Sequence, residues 1–280
     1  MNVGNGSNLY FEKYHVNGNN FIIIDERRNV IKDDLHSNLS HQLCDLKQSI
    51  GADGILFLSD SGRASVRMRI FEPDGSESDM CGNGIRCIAL YLNRLTGNNE
   101  FSIETNTGLF YGDLTGKKAR LNAGKLQDPH DFVSSADTFE QITDFVWKIV
   151  CRGRDFYIVN IGEPHAVTIH DGFDLNLRDF LDFARAPLLF PRGINLNVIT
   201  KVDDNTIRNR TFERGVWNYT TSCGTGSISC AVIAKEILGL SSDEITVIND
   251  IGQQQIQFVN QEIHALATPR FVFSGRFEVQ

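Results

Sequence analysis

Asp79-Met80-Cys81-Gly82-Asn83-Gly84-Ile85-Arg86-Cys87 is answered half a chain later by Ser222-Cys223-Gly224-Thr225-Gly226-Ser227. Each stretch sets a cysteine before a Gly-x-Gly turn, and each turn runs into apolar residues at helical spacing. Ile85, Ile88, Ala89 and Leu92 follow the first; Cys230, Ile233, Ala234 and Ile237 follow the second. Gly97 and Gly239 supply the stops. One such stretch is weak evidence for anything. Two of them read as a duplicated domain with one reactive thiol per half.

Outward from these stretches the surroundings also recur. Ten residues separate Phe71 from Cys81 and eleven separate Phe212 from Cys223. In the first half, strands are expected over 10–14, 20–25, 54–59, 65–71, 101–105, 108–114 and 119–122, from apolar runs between turn residues. A helix is expected over 33–47, with Leu35, Leu39, Leu43 and Leu46 on one face. Asp128-Pro129-His130-Asp131 reads as a linker. The second half repeats the order, with strands over 155–161, 166–169, 194–201, 206–212, 244–248, 254–259 and 262–266 and a helix over 175–184. Phe271 to Val279 is one strand more than the repeat needs, so it is expected to cross back to the first domain.

The fold expected is α+β. It has two similar domains, 1–127 and 128–269, each a strand-rich sheet or barrel around a central helix and related by pseudo-two-fold symmetry. Strand 270–280 returns to the first domain, and the active cleft is expected between the two.

Composition narrows the function classes. The 280 residues carry 41% hydrophobic and 22% charged side chains, as in a globular protein that folds around a core. A net charge of −8 with no basic cluster argues against nucleic acid as partner. No apolar stretch reaches membrane-spanning length and no signal-peptide pattern opens the chain, so no membrane partner is expected. Six cysteines in this context fit reduced thiols and a cytoplasmic location better than a disulfide framework.

A thiol at a helix N-terminus lies beside unpaired N–H groups and the positive end of the helix dipole, an arrangement expected to draw its pKa toward neutrality. Flanking glycines let backbone N–H groups approach a carboxylate closely. Two such sites facing one another suit one reaction in particular. A carboxylate held between two helix starts leaves its α-carbon with a thiol on each face. One removes the α-proton and the other returns a proton from the opposite side. Neither metal nor organic cofactor is needed if closure excludes water and fixed N–H dipoles stabilise the developing charge. A single cysteine is more often a small buried hydrophobe, which is the reading for Cys44, Cys87, Cys151 and Cys230. The C-x5-C and C-x6-C spacings do not match zinc pairs, and the glycines lack the lysine of a phosphate loop. A Cys223–His165 nucleophile pair is compatible with the spacing but leaves Cys81 without a role.

In this order the motifs resemble the diaminopimelate epimerase family over nearly the whole chain. The matching stretches are Phe11-x-Lys13-x-His15, Gly18-Asn19-x-Phe21, Ile50-Gly51-Ala52-Asp53-Gly54 and Asp74-Gly75-Ser76-Glu77. They continue with Met80 to Cys87, Gly162-x-Pro164-His165, Phe190-Pro191 before Asn195, Glu213-Arg214-Gly215 and Cys223-Gly224-Thr225-Gly226. The resemblance implies an epimerase independent of metal and pyridoxal, with Cys81 and Cys223 as acid/base residues. It implies that Gly82, Asn83, Gly224 and Thr225 hold the α-carboxylate. Asn19 and Glu213 help at that end, and His165 and Glu213 support the cysteines electrostatically. Asn195 and Arg214 match positions that bind the distal end of the substrate. The partners expected are a small-molecule amino acid and, in assembly, a second copy of this chain as a homodimer.

Two positions of the distal set depart from the family pattern: Glu72 and Glu163 stand where asparagine is usual. Trp217 and Tyr219 replace smaller residues, and Val16 replaces a glycine. The alternative substrate these changes suggest is a basic amino acid such as lysine, ornithine, arginine or histidine, whose distal cation two carboxylates would attract and an added aromatic ring would stack on. A more distant alternative is the fold-related isomerase of phenazine biosynthesis, which lacks the cysteine pair.

Overall fold

The computed structural model describes residues 8–27, 30–134, 136–172 and 174–279. Contacts divide the chain into two units. The first runs to Asn122 and resumes at Ala267; the second is Ala123–Leu266. These boundaries differ by a few residues from the expected 127/128 and 269/270. Asp128-Pro129-His130-Asp131 is not a free linker but part of the second unit. Its Pro129–Asp131 forms a 3-10 turn capped by the Asp128 carboxylate, and Gln127 bridges to Asn160. Residues 1–7 and 280, at the ends of the expected first domain, lie outside the described residues.

The first unit contains β1 (Asn8–Val16), β2 (Asn19–Asp25), α1 (Asp33–Cys44), β3 (Gly54–Ser59), β4 (Val66–Phe71), β5 (Glu77–Ser78), α2 (Gly82–Thr96), β6 (Glu100–Thr105), β7 (Gly108–Thr115) and, up to Asn122, β8 (Lys118–Gly124). The second contains β9 (Glu140–Gln141), β10 (Trp147–Cys151), β11 (Arg154–Asn160), β12 (Pro164–Ile169), α3 (Leu181–Ala184), β13 (Asn195–Lys201), β14 (Thr206–Glu213), β15 (Asn218–Thr220), α4 (Gly224–Glu236), β16 (Glu244–Ile248), β17 (Gln253–Val259) and β18 (Glu262–Ala267). The last strand, β19 (Arg270–Glu278), pairs antiparallel with β1 from Asn8↔Glu278 to His15↔Arg270.

Strand pairing shows the duplication directly. In the first unit β1–β2 is antiparallel, β2–β3 parallel, β3–β4 antiparallel, β4–β6 parallel, and β6–β7 and β7–β8 antiparallel. The second unit repeats this with β11–β12, β12–β13, β13–β14, β14–β16, β16–β17 and β17–β18. β10 flanks β11 as β19 flanks β1. The returning strand thus fills in the first unit a place that a local hairpin fills in the second.

The apolar runs Phe21–Ile24 and Ile55–Leu58 are explained by a sheet buried on both faces. Phe21, Ile23, Leu56, Leu58, Met68 and Ile70 pack on α2, whereas Ile22, Ile24, Ile55 and Phe57 pack with Leu39 and Leu43 of α1. Every residue of α2 from Asn83 to Ala89, and of α4 from Gly226 to Ala234, is buried. Each central helix is therefore enclosed rather than lying on a surface. Among the described residues no helix is long and apolar enough to cross a membrane.

Two helices depart from expectation. α1 stops at Cys44, because the Asp45 carboxylate accepts from the N–H groups of Lys47 and Gln48 at 2.7 Å each and draws the chain into a turn. Leu46 consequently does not share the helix face and is exposed. The expected helix 175–184 is a 3-10 segment, Leu177–Phe180, followed by the single turn α3. The Asn176 side chain caps its start and draws it tight.

Candidate active site

Cys81 and Cys223 occupy the same structural position in their units: each is the N-cap of the enclosed helix, in extended conformation. At the Cys81 site, the Asn83 amide donates to Asn19 Oδ1 at 3.3 Å, and Cys81 Sγ lies 3.9 Å from that oxygen. Asp53 steadies Asn19 by accepting from its amide at 3.3 Å and from the Asn20 backbone at 2.7 Å. Below the helix start, the fully buried Arg86 donates to Asn83 Oδ1 at 3.3 Å, and burial holds its pKa down at about 10. Gly82 opens α2 beside these groups.

At the Cys223 site, the Gly226 N–H donates to the sulfur at 3.4 Å, and Thr225 Oγ1 lies 3.6 Å from it. His165 Nε2 meets Thr225 Oγ1 at 3.0 Å. Asn195 links the remaining pieces, donating to the Pro164 carbonyl at 3.0 Å and accepting from the Arg214 N–H at 2.8 Å. Arg214 then bonds Glu163 Oε2 at 2.5 Å. Glu213 ends β14, and burial raises its carboxyl pKa, with Glu163 adding to the rise. Gly224 opens α4.

Within each unit the sequence-predicted residues therefore gather around the thiol. Asn19, Glu72, Gly82 and Asn83 accompany Cys81; Glu163, His165, Asn195, Glu213, Arg214, Gly224 and Thr225 accompany Cys223. Their electrostatics differ from expectation in three respects. Both thiol pKa values are raised, not lowered. Burial dominates at each: it pushes Cys81 up against the pull of the Gly84 and Asn83 N–H groups, with Glu72 adding and Arg86 opposing. It pushes Cys223 up to about 12, with the Glu213 carboxylate adding and Thr225 and Gly226 opposing. Helix-end dipoles are weaker than the loss of solvent around a buried sulfur.

Second, what His165 brings to the Cys223 site is a hydrogen bond to Thr225 rather than a charge. His165 is fully buried, and burial together with Arg214 holds its pKa at about 3, so it is neutral. Third, Trp217 and Tyr219 are already engaged. The Arg185 guanidinium lies 4.3 Å over Trp217 and that of Arg210 4.3 Å over Tyr219. The Tyr219 hydroxyl also accepts from Leu177 N–H at 2.7 Å. Each ring thus already carries a cation of the chain's own on one face.

Of the two substituted carboxylates, Glu163 is neutralised by Arg214. Glu72 accepts from the Ser78 hydroxyl at 2.8 Å, and burial, with Asp74 and Asp53 nearby, raises its pKa. Arg86 and Asn197 were overlooked as site residues. The available signal was a charged or polar residue at an inward position of an otherwise apolar pattern. Among the described residues no group of three or more His, Cys, Asp or Glu is placed to hold a metal ion.

The raised thiols carry a prediction. In the substrate-free protein iodoacetamide labels Cys223 slowly at pH 7, and the rate climbs about tenfold per pH unit, because only the thiolate reacts and the thiol pKa lies far above. A rate already level between pH 6 and 8 would show a preformed thiolate.

The sequence profile of the family described as Diaminopimelate epimerase matches residues 11–127 and 157–268. A diaminopimelate epimerase of Methanocella arvoryzae is 37% identical over 97% of each chain. One of Archaeoglobus fulgidus is 34% identical over 95% of each. Among solved structures, a phenazine-biosynthesis protein of the PhzF family from Bacillus anthracis superimposes with a TM-score of 0.66, at 15% identity, over 97% of this chain and 99% of its own. A hydroxyproline epimerase from Agrobacterium vitis does so at 0.60 and 12% identity, over 96% and 91%. At those identities the structures show a shared fold.

Proposed function

The chain belongs to the diaminopimelate epimerase family, and on that premise we propose that it interconverts LL- and meso-diaminopimelate, with Cys81 and Cys223 as the two acid/base residues. It is an isomerase of the amino-acid epimerase class. One observation carries the reading: two units with the same strand pairing each set one cysteine at the N-cap of an enclosed helix.

In this proposal the N–H groups around Gly82, Asn83, Gly224 and Thr225 receive the α-carboxylate, whose charge suits helix starts. Asn19 helps hold the same end, and Glu213 accepts the α-ammonium. One sulfur takes the α-proton as a thiolate while the other, as a thiol, gives a proton to the opposite face. The configuration inverts and the roles of the two sulfurs exchange. Asn195 and Arg214 serve the distal end, and the chemistry draws on no metal or organic cofactor.

Glu72 favours a second reading, a basic amino acid as substrate. It is a half-buried carboxylate that accepts a hydrogen bond from the Ser78 hydroxyl. Glu163 gives that reading less support, since Arg214 already balances it. Proton NMR of α-hydrogen exchange in D2O, with diaminopimelate and lysine side by side, separates the two. Faster exchange of diaminopimelate is expected, and Glu163→Gln, by releasing Arg214, is expected to lower its KM. Exchange of lysine with none of diaminopimelate would overturn the first reading.

A further inference from the structure

The two thiols rest on different beds. Strand registers align the units residue by residue: Phe21 faces Gly54 in β2–β3 as His165 faces Asn195 in β12–β13, and Leu56 faces Ile70 as Asn197 faces Thr211. By the same alignment Met68 corresponds to Asn209. In the first unit these positions, Phe21, Leu56, Met68 and Ile70, are ordinary core. In the second they are His165, Asn197, Asn209 and Thr211, all buried and all polar. The fold at this place is satisfied by apolar side chains, so the polar set serves something other than packing.

Its hydrogen bonds run in one direction. The Asn209 amide donates to Thr211 Oγ1 at 3.2 Å, and Thr211 donates to Asn197 Oδ1 at 2.8 Å. The Asn197 amide nitrogen then meets His165 Nδ1 at 2.9 Å. An NH2 group can only donate, so Nδ1 accepts and the imidazole proton sits on Nε2, which donates to Thr225 Oγ1 at 3.0 Å. The Thr225 hydroxyl, its oxygen occupied, has its own proton free for Cys223 Sγ at 3.6 Å. Turning the Asn197 amide over would aim two NH2 groups at Thr211 and leave its hydroxyl proton without the Asn197 acceptor. The orientation with every partner satisfied is the one present.

We propose that Asn197, oriented by Thr211 and Asn209, is a positioning residue that locks His165 in its Nε2–H tautomer, so that the Thr225 hydroxyl donates to the Cys223 sulfur. The proposal rests on Cys223 being an acid/base residue, but its first test does not. A hydroxyl proton aimed at the sulfur stabilises the thiolate over the thiol and fixes its direction. Among the described residues Cys81 has no such relay: Asn83 stands at the position of Thr225, and Leu56 at that of Asn197. The two thiols of one reaction are thereby made unequal.

The test begins with the unsubstituted protein. Long-range proton–nitrogen NMR of imidazole-labelled protein is expected to show His165 neutral with its proton on Nε2 from pH 6 to 9. A proton on Nδ1, or an imidazolium, overturns the proposal whatever the enzyme's substrate. Asn197→Asp replaces the donor by an acceptor of the same shape and is expected at pH 9 to move the proton to Nδ1, turning the Thr225 hydroxyl toward His165. Cys223 labelling by iodoacetamide, measured with Cys81→Ala in both proteins, should then slow about tenfold, the loss of one hydrogen bond to a charged group. Thr225→Val should slow labelling equally without moving the tautomer, and Thr225→Ser should restore it. These two variants carry the test if Asn197→Asp does not fold. Unchanged labelling in Thr225→Val, or in an Asn197→Asp protein whose tautomer has moved, overturns the proposal. If the unsubstituted protein gives all of these readouts as expected but epimerises an amino acid other than diaminopimelate, only the substrate assignment falls.

Discussion

Cys81→Ala and Cys223→Ala each fold and each lose epimerisation by about a thousandfold or more, the scale of removing a positioned acid/base group. The large effect follows from the division of labour. Inversion needs proton removal on one face and delivery on the other, and no second titratable group replaces either sulfur at its helix start. Folding survives for a local reason. Cys81 makes no side-chain cap bond to α2, and Cys223 gives up a 3.4 Å contact from the Gly226 N–H and a 3.6 Å contact with Thr225 Oγ1. That cap costs about 0.5–2 kcal/mol, a modest share of ordinary domain stability. The two variants are also expected to differ from each other. Each retains one sulfur, so each can still exchange the α-hydrogen of the isomer that presents it to that sulfur, without inversion. Assaying exchange in D2O together with optical inversion on both isomers reads this directly. Full inversion by either variant would refute the two-thiol mechanism.

Gly226→Ala is expected to be the most damaging single methyl group at the site. A Cβ there would lie 2.9 Å from both Asn197 Oδ1 and Thr211 Oγ1, and 3.1 Å from Cys223 Cβ. Those oxygens are already bonded to each other's groups at 2.8 Å and are enclosed, so neither can retreat without breaking the network. The matching position in the first unit is Gly84, where a Cβ would meet Leu56 Cδ2 at 3.1 Å. That is the end of a flexible side chain and can give. Thermal denaturation should therefore place Gly226→Ala about 1–3 kcal/mol below the parent, with Gly84→Ala losing less. Equal losses would mean that the polar bed is as compliant as the apolar one.

Much of the molecule was legible in one dimension because its determinants are local. A cysteine before Gly-x-Gly, with Ile85, Ile88, Ala89 and Leu92 at helical spacing, specifies an N-cap thiol from neighbouring residues alone. The runs Phe21–Ile24 and Ile55–Leu58 specify strands buried on both faces. The two-unit α+β fold and the family could thus be read from motifs and their order. The surplus strand near the C-terminus could be recognised as surplus, although its partner β1 lies at the other end of the chain.

The tertiary structure decided what depends on distance and burial rather than on neighbours. β10 was missed because Trp147–Cys151 is short and only half-buried in alternation; its partner β11 makes it a strand. The Asp45 turn overrode the leucine spacing that would have carried α1 on to Leu46. At the site, nothing near Cys81 or Cys223 in sequence tells how much solvent the sulfur loses, and that loss outweighs the helix dipole. Glu163 and Arg214 lie far apart along the chain, as do Trp217 and the Arg185 that stacks on it. The hydrogen-bond direction from Asn209 to Cys223 draws on β12, β13, β14 and α4. The sequence by itself determined which atoms can do chemistry here. Folding decided their protonation, because protonation is set by the groups that three-dimensional packing brings against them.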